Sequence, residues 1–356
     1  ISSAVEEALE SILELAELRE GGARRLLVAG CLPARYGVET LSGILPEVDL
    51  FVDIPSYPRF ASLVGGLVGE EEEKGREGMA RTRASTLARG FVYLKIAEGC
   101  RRRCAYCAIP SIRGPLVSRP LEEIVAEARF FLQRGARELV LVAQDTTSYG
   151  LDLAGGESLP ELMSSLSSLE GDFRLRVMYA HPEGVDARLL ESMRAGRACP
   201  YLDLPFQHVD PGILSDMGRR GSARGHKRLL ELARDALGEV ALRATFMVGF
   251  PGEDARSFRA LYDFVAEARF DWVGLLGYSQ EEGTPAFSLG KGVAARERRR
   301  RLEALAGLQE EIMREKAADL VGRTFRVLVE GESEEAPGFW EARSFREAPD
   351  GDGVIF

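Results

Sequence analysis

The chain has 356 residues, 45% of them hydrophobic, and a net charge of −10 at pH 7. This length is typical of two or three packed domains, and the negative charge argues against a large nucleic-acid-binding surface. No apolar run approaches the ~20 residues that cross a membrane, and no signal segment opens the chain. The 5 cysteines are too few, and odd in number, for a disulfide framework. We therefore expect a cytoplasmic location and no membrane partner.

Residues 1–60 predict a small α/β unit. Cys31 follows its first strand, and a lone cysteine at such a position is most simply a small buried hydrophobic residue. The predicted elements are an amphipathic helix over 1–19, a strand at 25–29, a short helix at 37–44 and a strand at 48–54.

From Phe91 onward, strands and helices alternate about six times. This alternation predicts a parallel sheet with helices on its outside. Six units favour a partial barrel over a closed eight-stranded one, and functional residues of such folds lie at the carboxyl ends of the strands. The predicted strands are 91–96, 138–143, 173–179, 201–205, 241–248 and 272–278, and the helices are 121–133, 159–169, 186–193, 224–237, 255–268 and 292–320.

The barrel domain is predicted to span residues 89–320, after a solvated linker at 61–88 that contains four consecutive glutamates. Residues 321–356 are predicted to begin a small β domain, with a strand at 324–330. The chain starts and stops inside predicted elements, so we expect it to be a fragment of a longer protein.

Cys100, Cys104 and Cys107 lie within eight residues, directly after the first barrel strand. Three soft ligands on one short loop favour an iron–sulfur cluster. A four-iron cluster takes four ligands, so three cysteines leave one iron open to a substrate or cofactor. A closed zinc site needs a fourth Cys or His, and the next candidate downstream is His181. Zinc and three purely structural thiols remain alternatives at this point.

Each later barrel strand ends in a polar or glycine-rich cluster. One such cluster is ordinarily a helix cap or a turn, but five in register with the cysteine loop predict a common mouth. Gly249 and Gly252 would let a ligand approach the backbone closely, which alone is a weak signal. The clusters are 144–147, 181–182, 207–208, 249–253 and 279–285.

The stretch from Glu98 to Arg119 contains Cys-x3-Cys-x2-Cys followed by Ala-Ile-Pro and Arg-Gly. It resembles the methylthiotransferases of the radical S-adenosylmethionine (SAM) superfamily. The sequence Ala-Gln-Asp-Thr-Thr-Ser-Tyr-Gly at 143–150 resembles the branch that modifies a ribosomal protein, whereas tRNA-modifying relatives usually carry an asparagine-containing sequence there. Essentially the whole chain is covered by the resemblance, which includes further stretches at 30–36, 45–49, 201–208 and 342–354.

The resemblance implies a partial (β/α)6 radical-SAM barrel, an amino-terminal α/β methylthiotransferase domain and the start of a TRAM-like β domain. It implies that Cys100, Cys104 and Cys107 hold a [4Fe-4S] cluster that binds S-adenosylmethionine and starts radical chemistry. It also implies that Cys31 is one of three ligands of a second [4Fe-4S] cluster, whose other two cysteines would lie upstream of Ile1. The implied contacts to S-adenosylmethionine are Tyr106, Gln144, Asp145, Gln207, His208, Gly249, Gly252 and Glu253.

The implied reaction is insertion of a methylthio group at the β-carbon of an aspartate in small-subunit ribosomal protein twelve. A low-potential electron donor such as a flavodoxin-like protein is implied as a second partner, and nucleic acid is not expected as the primary substrate. Two alternatives stay open at this stage. One is a tRNA-adenosine methylthiotransferase of the isopentenyladenosine type, and the other is a non-catalytic, cluster-binding scaffold that binds RNA.

Overall fold

The amino-terminal unit consists of two parallel strands covered by helices. The structure is a computed structural model, which describes residues 2–18, 25–68 and 90–356. Apolar side chains from the first helix, the third helix and the second strand are buried together, among them Ile12, Leu41 and Phe51. In chain order the elements are α1 (Ser2–Glu17), β1 (Leu27–Gly30), α2 (Cys31–Tyr36), α3 (Val38–Ile44), β2 (Leu50–Asp53) and α4 (Phe60–Val68).

Two of these helices differ from the sequence-based expectation. Helix α2 begins at Cys31 itself, immediately after β1, where only a strand end was expected. Its Pro33 lies in the first turn, where a missing N–H does not break a helix. Helix α4 occupies the start of the expected linker because its apolar residues outweigh its two glycines. The glutamate run of that linker lies outside the described residues.

The barrel region alternates between strands and helices as predicted, and the α/β fold class is confirmed. In chain order its elements are β3 (Phe91–Lys95), β4 (Ala97–Glu98), α5 (Ile109–Arg113), β5 (Val117–Ser118), α6 (Leu121–Gln133), β6 (Glu138–Val142), α7 (Leu159–Ser167), β7 (Arg174–Val177), α8 (Ala187–Ala195), β8 (Tyr201–Gln207), α9 (Pro211–Asp216), α10 (Ala223–Leu237), β9 (Ala241–Val248), α11 (Ala255–Ala268), β10 (Trp272–Gly277) and α12 (Ala295–Asp319).

Six parallel strands form the wall of this partial barrel. Strands β3, β6 and β7 pair in that order, as do β8, β9 and β10. The two halves meet where Leu175 of β7 forms a parallel bridge with Ala198, just before β8. The strands therefore follow one another in chain order, and their carboxyl ends point to the same side.

The two faces of the barrel wall bury different residues, because successive side chains of a strand point to opposite faces. The outer face is apolar and packs on the helices, as Leu94, Leu141 and Phe246 do. The inner face carries large polar and aromatic residues such as Tyr93, Arg176 and Tyr201. We call the space enclosed by the inner face the lumen.

Residues 343–352 close the lumen at the amino-terminal ends of the strands. The guanidinium of Arg176 donates to the carbonyl oxygen of Phe345 at 2.9 Å, and the indole N–H of Trp272 donates to the carbonyl of Arg346 at 2.7 Å. The hydroxyl of Tyr201 donates to Asp352 at 2.7 Å. We call this segment the floor. The lumen is consequently open toward the carboxyl ends of the strands.

The strand predicted at 324–330 lies further along the chain. It is β11 (Leu328–Glu332), which pairs in antiparallel fashion with β12 (Trp340–Arg343) through a bulge between Val329 and Gly331. The irregular register explains why simple alternation misplaced the strand. Among the described residues, no helix is both long and apolar enough to span a membrane.

Candidate functional site

The cysteine loop is carried by a small two-stranded ribbon directly after β3. Strands β4 and β5 pair in antiparallel fashion, and the amide of Cys100 donates to the carbonyl of Gly114 at 3.2 Å. Gly99 begins the loop with a φ of 71°. A Cβ atom at Gly99 would lie 2.0 Å from the carbonyl oxygen of Pro115, so no other residue fits there. The pairing of β4 with β5 and the tight turn at Gly99 place the cysteine loop over the carboxyl ends of the strands.

Each of the three loop cysteines receives an N–H donor at its sulfur. The amide of Arg102 donates to Cys100 at 3.4 Å, and the guanidinium of Arg219 donates to Cys104 at 3.6 Å. The amide of Ile109 donates to Cys107. Burial raises the pKa of Cys100 and of Cys107, so these thiols are protonated at neutral pH until a ligand holds them as thiolates. Three free thiols that each face a donor fit the thiolate ligands of an iron–sulfur cluster.

A closed single-ion metal site is not found in the parts of the chain that the structure describes. There, no three or more His, Cys, Asp or Glu side chains converge as ligands of one metal ion. A four-iron cluster differs because each cysteine binds a separate iron, which spaces the sulfurs further apart. His181 is instead the cap of a short turn, and its Nδ1 accepts from the amide of Glu183 at 3.3 Å. The geometry disfavours the zinc alternative.

Three of the predicted contacts to S-adenosylmethionine have a buried polar atom without a hydrogen-bond partner in the described structure: Oε1 of Gln144, Oε1 of Gln207 and Nε2 of His208. The amide of Asp210 donates to Nδ1 of His208 at 3.0 Å, which leaves the ring proton on Nε2. Burial lowers the pKa of His208 to about 4, so the ring is neutral at pH 7. Because buried polar groups are normally paired, these atoms are suited to the polar groups of a ligand.

Asp145 differs from these residues because neighbouring groups occupy both of its carboxylate oxygens. Oδ1 accepts from the amide of Thr147 at 3.1 Å, and Oδ2 accepts from Ser148 at 2.7 Å and from the guanidinium of Arg102 at 2.8 Å. Burial alone would raise the pKa of Asp145, but these hydrogen bonds outweigh burial and lower it. Arg102 in turn donates to Glu183 at 3.0 Å. The geometry favours a role for Asp145 in positioning Arg102 over direct contact with a cofactor.

Glu253 closes the glycine-rich loop after β9. It accepts from the amide of Gly249 at 2.7 Å and from Arg301 at 2.6 Å, and Oε2 lies 3.7 Å from Nε2 of His208. Burial raises the pKa of Glu253 despite these donors. Gly249 and Gly252 have φ angles of 86° and 87°, so this turn is accessible to glycine and strained for other residues. Glu253 therefore shapes the loop whose glycines were predicted to contact S-adenosylmethionine.

Tyr106 forms part of an apolar wall next to the cysteine loop. Its ring packs against a cluster that includes Met217, Met247 and Phe250. Its hydroxyl accepts from Arg219 at 3.3 Å, and Arg219 also donates to the carbonyl of Pro205 at 2.7 Å. Arg219 thus joins the wall, a cysteine and strand β8 at one point.

The amino-terminal unit lies against the mouth of the barrel. Cys31 is exposed, and its sulfur accepts from Arg113 at 3.2 Å. Arg113 also pairs with Glu98 at 3.2 Å, two residues before Cys100. Arg35 pairs with Glu281 at 3.4 Å at a second point of contact. Cys31 is thereby held beside the element that follows the cysteine loop, whereas Cys199 is buried elsewhere.

Sequence reasoning missed several residues of this mouth. Arg219 follows α9 and lies far from Cys104 along the chain, so no spacing connects the two. Glu98 was read only as part of a motif, although it accepts from Gln144 at 3.2 Å and pairs with Lys95 at 2.6 Å. Arg102 could be found only as one of three adjacent arginines.

The comparisons with known proteins agree with this geometry. A family model described as the radical SAM superfamily matches residues 94–265. Among solved structures, the radical SAM methyltransferase TsrM from Kitasatospora setae has a TM-score of 0.56 and 16% identity, over 74% of this chain and 57% of that one. The cobalamin-dependent radical SAM enzyme OxsB has a TM-score of 0.55 and 14% identity, over 87% of this chain and 46% of that one. These likenesses establish the fold, and with the cysteine loop they define a radical SAM protein.

Proteins of similar sequence show to which family of radical SAM proteins the chain belongs. A ribosomal protein uS12 methylthiotransferase RimO from Moorella thermoacetica is 43% identical over all of this chain and 82% of its own length. RimO proteins from Geobacter sulfurreducens and Acetivibrio thermocellus are 41% and 38% identical, each over all of this chain and 81% of the relative. The chain belongs to the RimO family of ribosomal protein uS12 methylthiotransferases.

Arg219→Gln should shift the midpoint potential of the reconstituted cluster to a more negative value. The positive charge and the N–H donor of Arg219 next to Cys104 stabilise the reduced cluster, which carries more negative charge. The substitution removes both, so the reduced state becomes less favourable. A redox titration followed by electron paramagnetic resonance measures the potential. The adjacent, exposed Arg220→Gln is the matched control and should not change it. Equal midpoints for Arg219→Gln and the unaltered protein would contradict this role.

Proposed function

We propose that this chain transfers a methylthio group to the β-carbon of an aspartate in ribosomal protein uS12. The observation that carries the proposal is 38% to 43% identity, along the entire chain, to proteins named uS12 methylthiotransferases. A net charge of −10 also suits a basic ribosomal protein as a partner.

Within this proposal, Cys100, Cys104 and Cys107 are the ligands of one [4Fe-4S] cluster. That cluster and S-adenosylmethionine together supply the radical that removes hydrogen from an unactivated carbon. Gln144 and His208 offer buried polar atoms that have no hydrogen-bond partner among the described residues. The apolar wall beside Tyr106 excludes water, which protects a reactive species from side reactions.

Cys31 is proposed as one ligand of a second [4Fe-4S] cluster that takes part in sulfur transfer. The support is its exposed sulfur, held 3.2 Å from Arg113 on the element that follows the cysteine loop. In protein that contains both clusters, Cys31→Ser should lower iron and sulfide content by one cluster. Unchanged content would argue against this assignment.

A low-potential, flavodoxin-like protein is proposed as the electron donor, because reductive cleavage of S-adenosylmethionine consumes an electron at each turnover. A reduced flavodoxin should replace dithionite in the assay. Failure of several flavodoxins and ferredoxins, with dithionite still active, would argue against such a donor.

The decisive experiment is expression in a bacterial strain that lacks its own uS12 methylthiotransferase. Mass spectrometry should find the mass of one added methylthio group on uS12 and no new methylthio mark on tRNA. A mark on tRNA alone would favour the tRNA-adenosine alternative. A purified, reconstituted protein that forms no 5′-deoxyadenosine with dithionite and S-adenosylmethionine would favour the scaffold alternative.

A further inference from the structure

Tyr179, the second residue after β7, has a left-handed backbone conformation with a φ of 55°. This conformation is unfavourable for a bulky residue and persists only where the surroundings impose it. Here the amide of Tyr179 donates to Oδ2 of Asp203 at 3.0 Å, and its carbonyl accepts from the amide of Thr146 at 3.2 Å. Asp203 is itself paired with Arg243 at 2.9 Å. Strand β8 and the turn that follows β6 therefore hold Tyr179 in a strained geometry.

The strain places a large aromatic side chain where it is 46% exposed, although both neighbours, Met178 and Ala180, are buried. The backbone of Tyr179 lies beside the inner face, because its amide donates to Asp203, which shares the face of β8 that carries Tyr201. Burial, the Asp350 carboxylate and, to a smaller extent, Tyr179 raise the pKa of Tyr93. The hydroxyl of Tyr93 donates to Asp350 of the floor at 2.9 Å. Tyr179 therefore lies at the open, carboxyl-end side of the lumen, opposite the floor.

Other candidates for recognising an anion on the inner face are already paired with carboxylates. Lys95 pairs with Glu98, Arg176 pairs with Glu138, and Arg243 pairs with Asp203 and Asp352. The hydroxyl of Tyr179 has no hydrogen bond to any residue that the structure describes. A neutral phenol can donate to a carboxylate while its ring covers the adjacent aliphatic carbon.

We propose that Tyr179 positions the substrate by donating a hydrogen bond from its hydroxyl to the carboxylate of the reacting aspartate of uS12. The inference rests on the proposed function, because that function supplies an anionic residue whose β-carbon must be held in the lumen. The strained backbone presents the ring, and the hydroxyl selects a carboxylate. None of the residues assigned to the cluster or to S-adenosylmethionine makes a hydrogen bond to Tyr179 in the described structure.

The test compares Tyr179→Phe, which removes only the hydroxyl, with Tyr179→Ala, which also removes the ring. A hydrogen bond to a charged group is worth about a tenfold change or more in binding. Tyr179→Phe should therefore raise the KM for purified uS12 by about tenfold, and Tyr179→Ala should raise it further. Formation of 5′-deoxyadenosine without uS12 should stay unchanged in both variants. Tyr262→Phe, on α11 outside the barrel, is the matched control and should leave both readouts unchanged.

Outcomes for the two hypotheses are separable. If the unaltered protein modifies uS12 and Tyr179→Phe has the same KM, the inference about Tyr179 is wrong and the proposed function stands. If Tyr179→Ala lowers thermal stability and basal cleavage of S-adenosylmethionine while Tyr179→Phe behaves normally, the residue is structural and the inference is again wrong. An unaltered protein that does not modify uS12 would overturn the proposed function itself.

Discussion

Replacing Cys104 with alanine should abolish the brown chromophore of the barrel cluster and reduce 5′-deoxyadenosine formation to background. Two cysteines of this loop would remain, and they do not suffice to hold a four-iron cluster that already leaves one iron open. Absorbance, iron and sulfide analysis, and product chromatography on anaerobically prepared protein measure the three effects.

Cys199→Ala is the matched control for this experiment. Its thiol is 4% exposed and packs with Val140, Met178 and Tyr201, away from the cysteine loop. This variant should keep the chromophore and the activity. If Cys104→Ala kept an unchanged chromophore, the ligand assignment would be wrong. A protein with tightly bound zinc and no sulfide would instead restore the zinc alternative.

The barrel could be predicted because each of its strands and helices has a hydrophobic pattern that is visible in its own short stretch of sequence. The apolar run Ala241–Val248 and the amphipathic helices Leu121–Gln133 and Ala255–Ala268 have the bounds that periodicity indicated. Asp254 begins the last of these with a capping box, which is a purely local signal. The cysteine loop is equally local, since its three thiols lie within eight residues.

Features that depend on long-range contacts could not be predicted in this way. The floor forms because Trp272 meets Arg346 and Glu138 meets Arg343, and the members of each pair are distant in sequence. Tyr179 is left-handed because Asp203 and Thr146 hold its backbone, and neither contact has a spacing signature. The polar clusters at the strand ends predict where the mouth of the barrel lies, but they do not indicate which side chains point into it. Asp145 illustrates this, since its hydrogen bond from Arg102 has no signature in the spacing of the sequence.

The second large effect concerns the stability of the barrel. Glu138 is fully buried at the start of β6, accepts hydrogen bonds from Arg176 at 2.6 Å and Arg174 at 2.9 Å, and forms an ion pair with Arg343 at 3.0 Å. Arg343 belongs to the floor, so this carboxylate joins the floor to the wall. Glu138→Ala would leave the fully buried guanidinium of Arg176 without its carboxylate partner. We expect the free energy of unfolding at pH 7 to fall by about 3–5 kcal/mol.

The carboxylate of Glu138 should also make the free energy of unfolding depend on pH. Burial alone would raise the pKa of Glu138, but Arg176, Arg174 and Arg343 outweigh burial and lower it from 4.5 to about 2. Because the folded-state pKa is the lower one, the charged form stabilises the fold fully above about pH 4.5. That contribution is lost as the pH falls toward about 2, so Glu138→Ala should show a flatter stability profile in this window.

Urea unfolding at a series of pH values measures both effects. Glu310→Ala is the control, because Glu310 forms an exposed pair with Arg314 on α12 and its loss should cost less than about 0.5 kcal/mol. Limited proteolysis should also cut residues 343–352 faster in Glu138→Ala, because the floor loses its anchor at Arg343. A loss of under about 1 kcal/mol with an unchanged cleavage rate would mean that the floor is held by other contacts, such as those of Asp352.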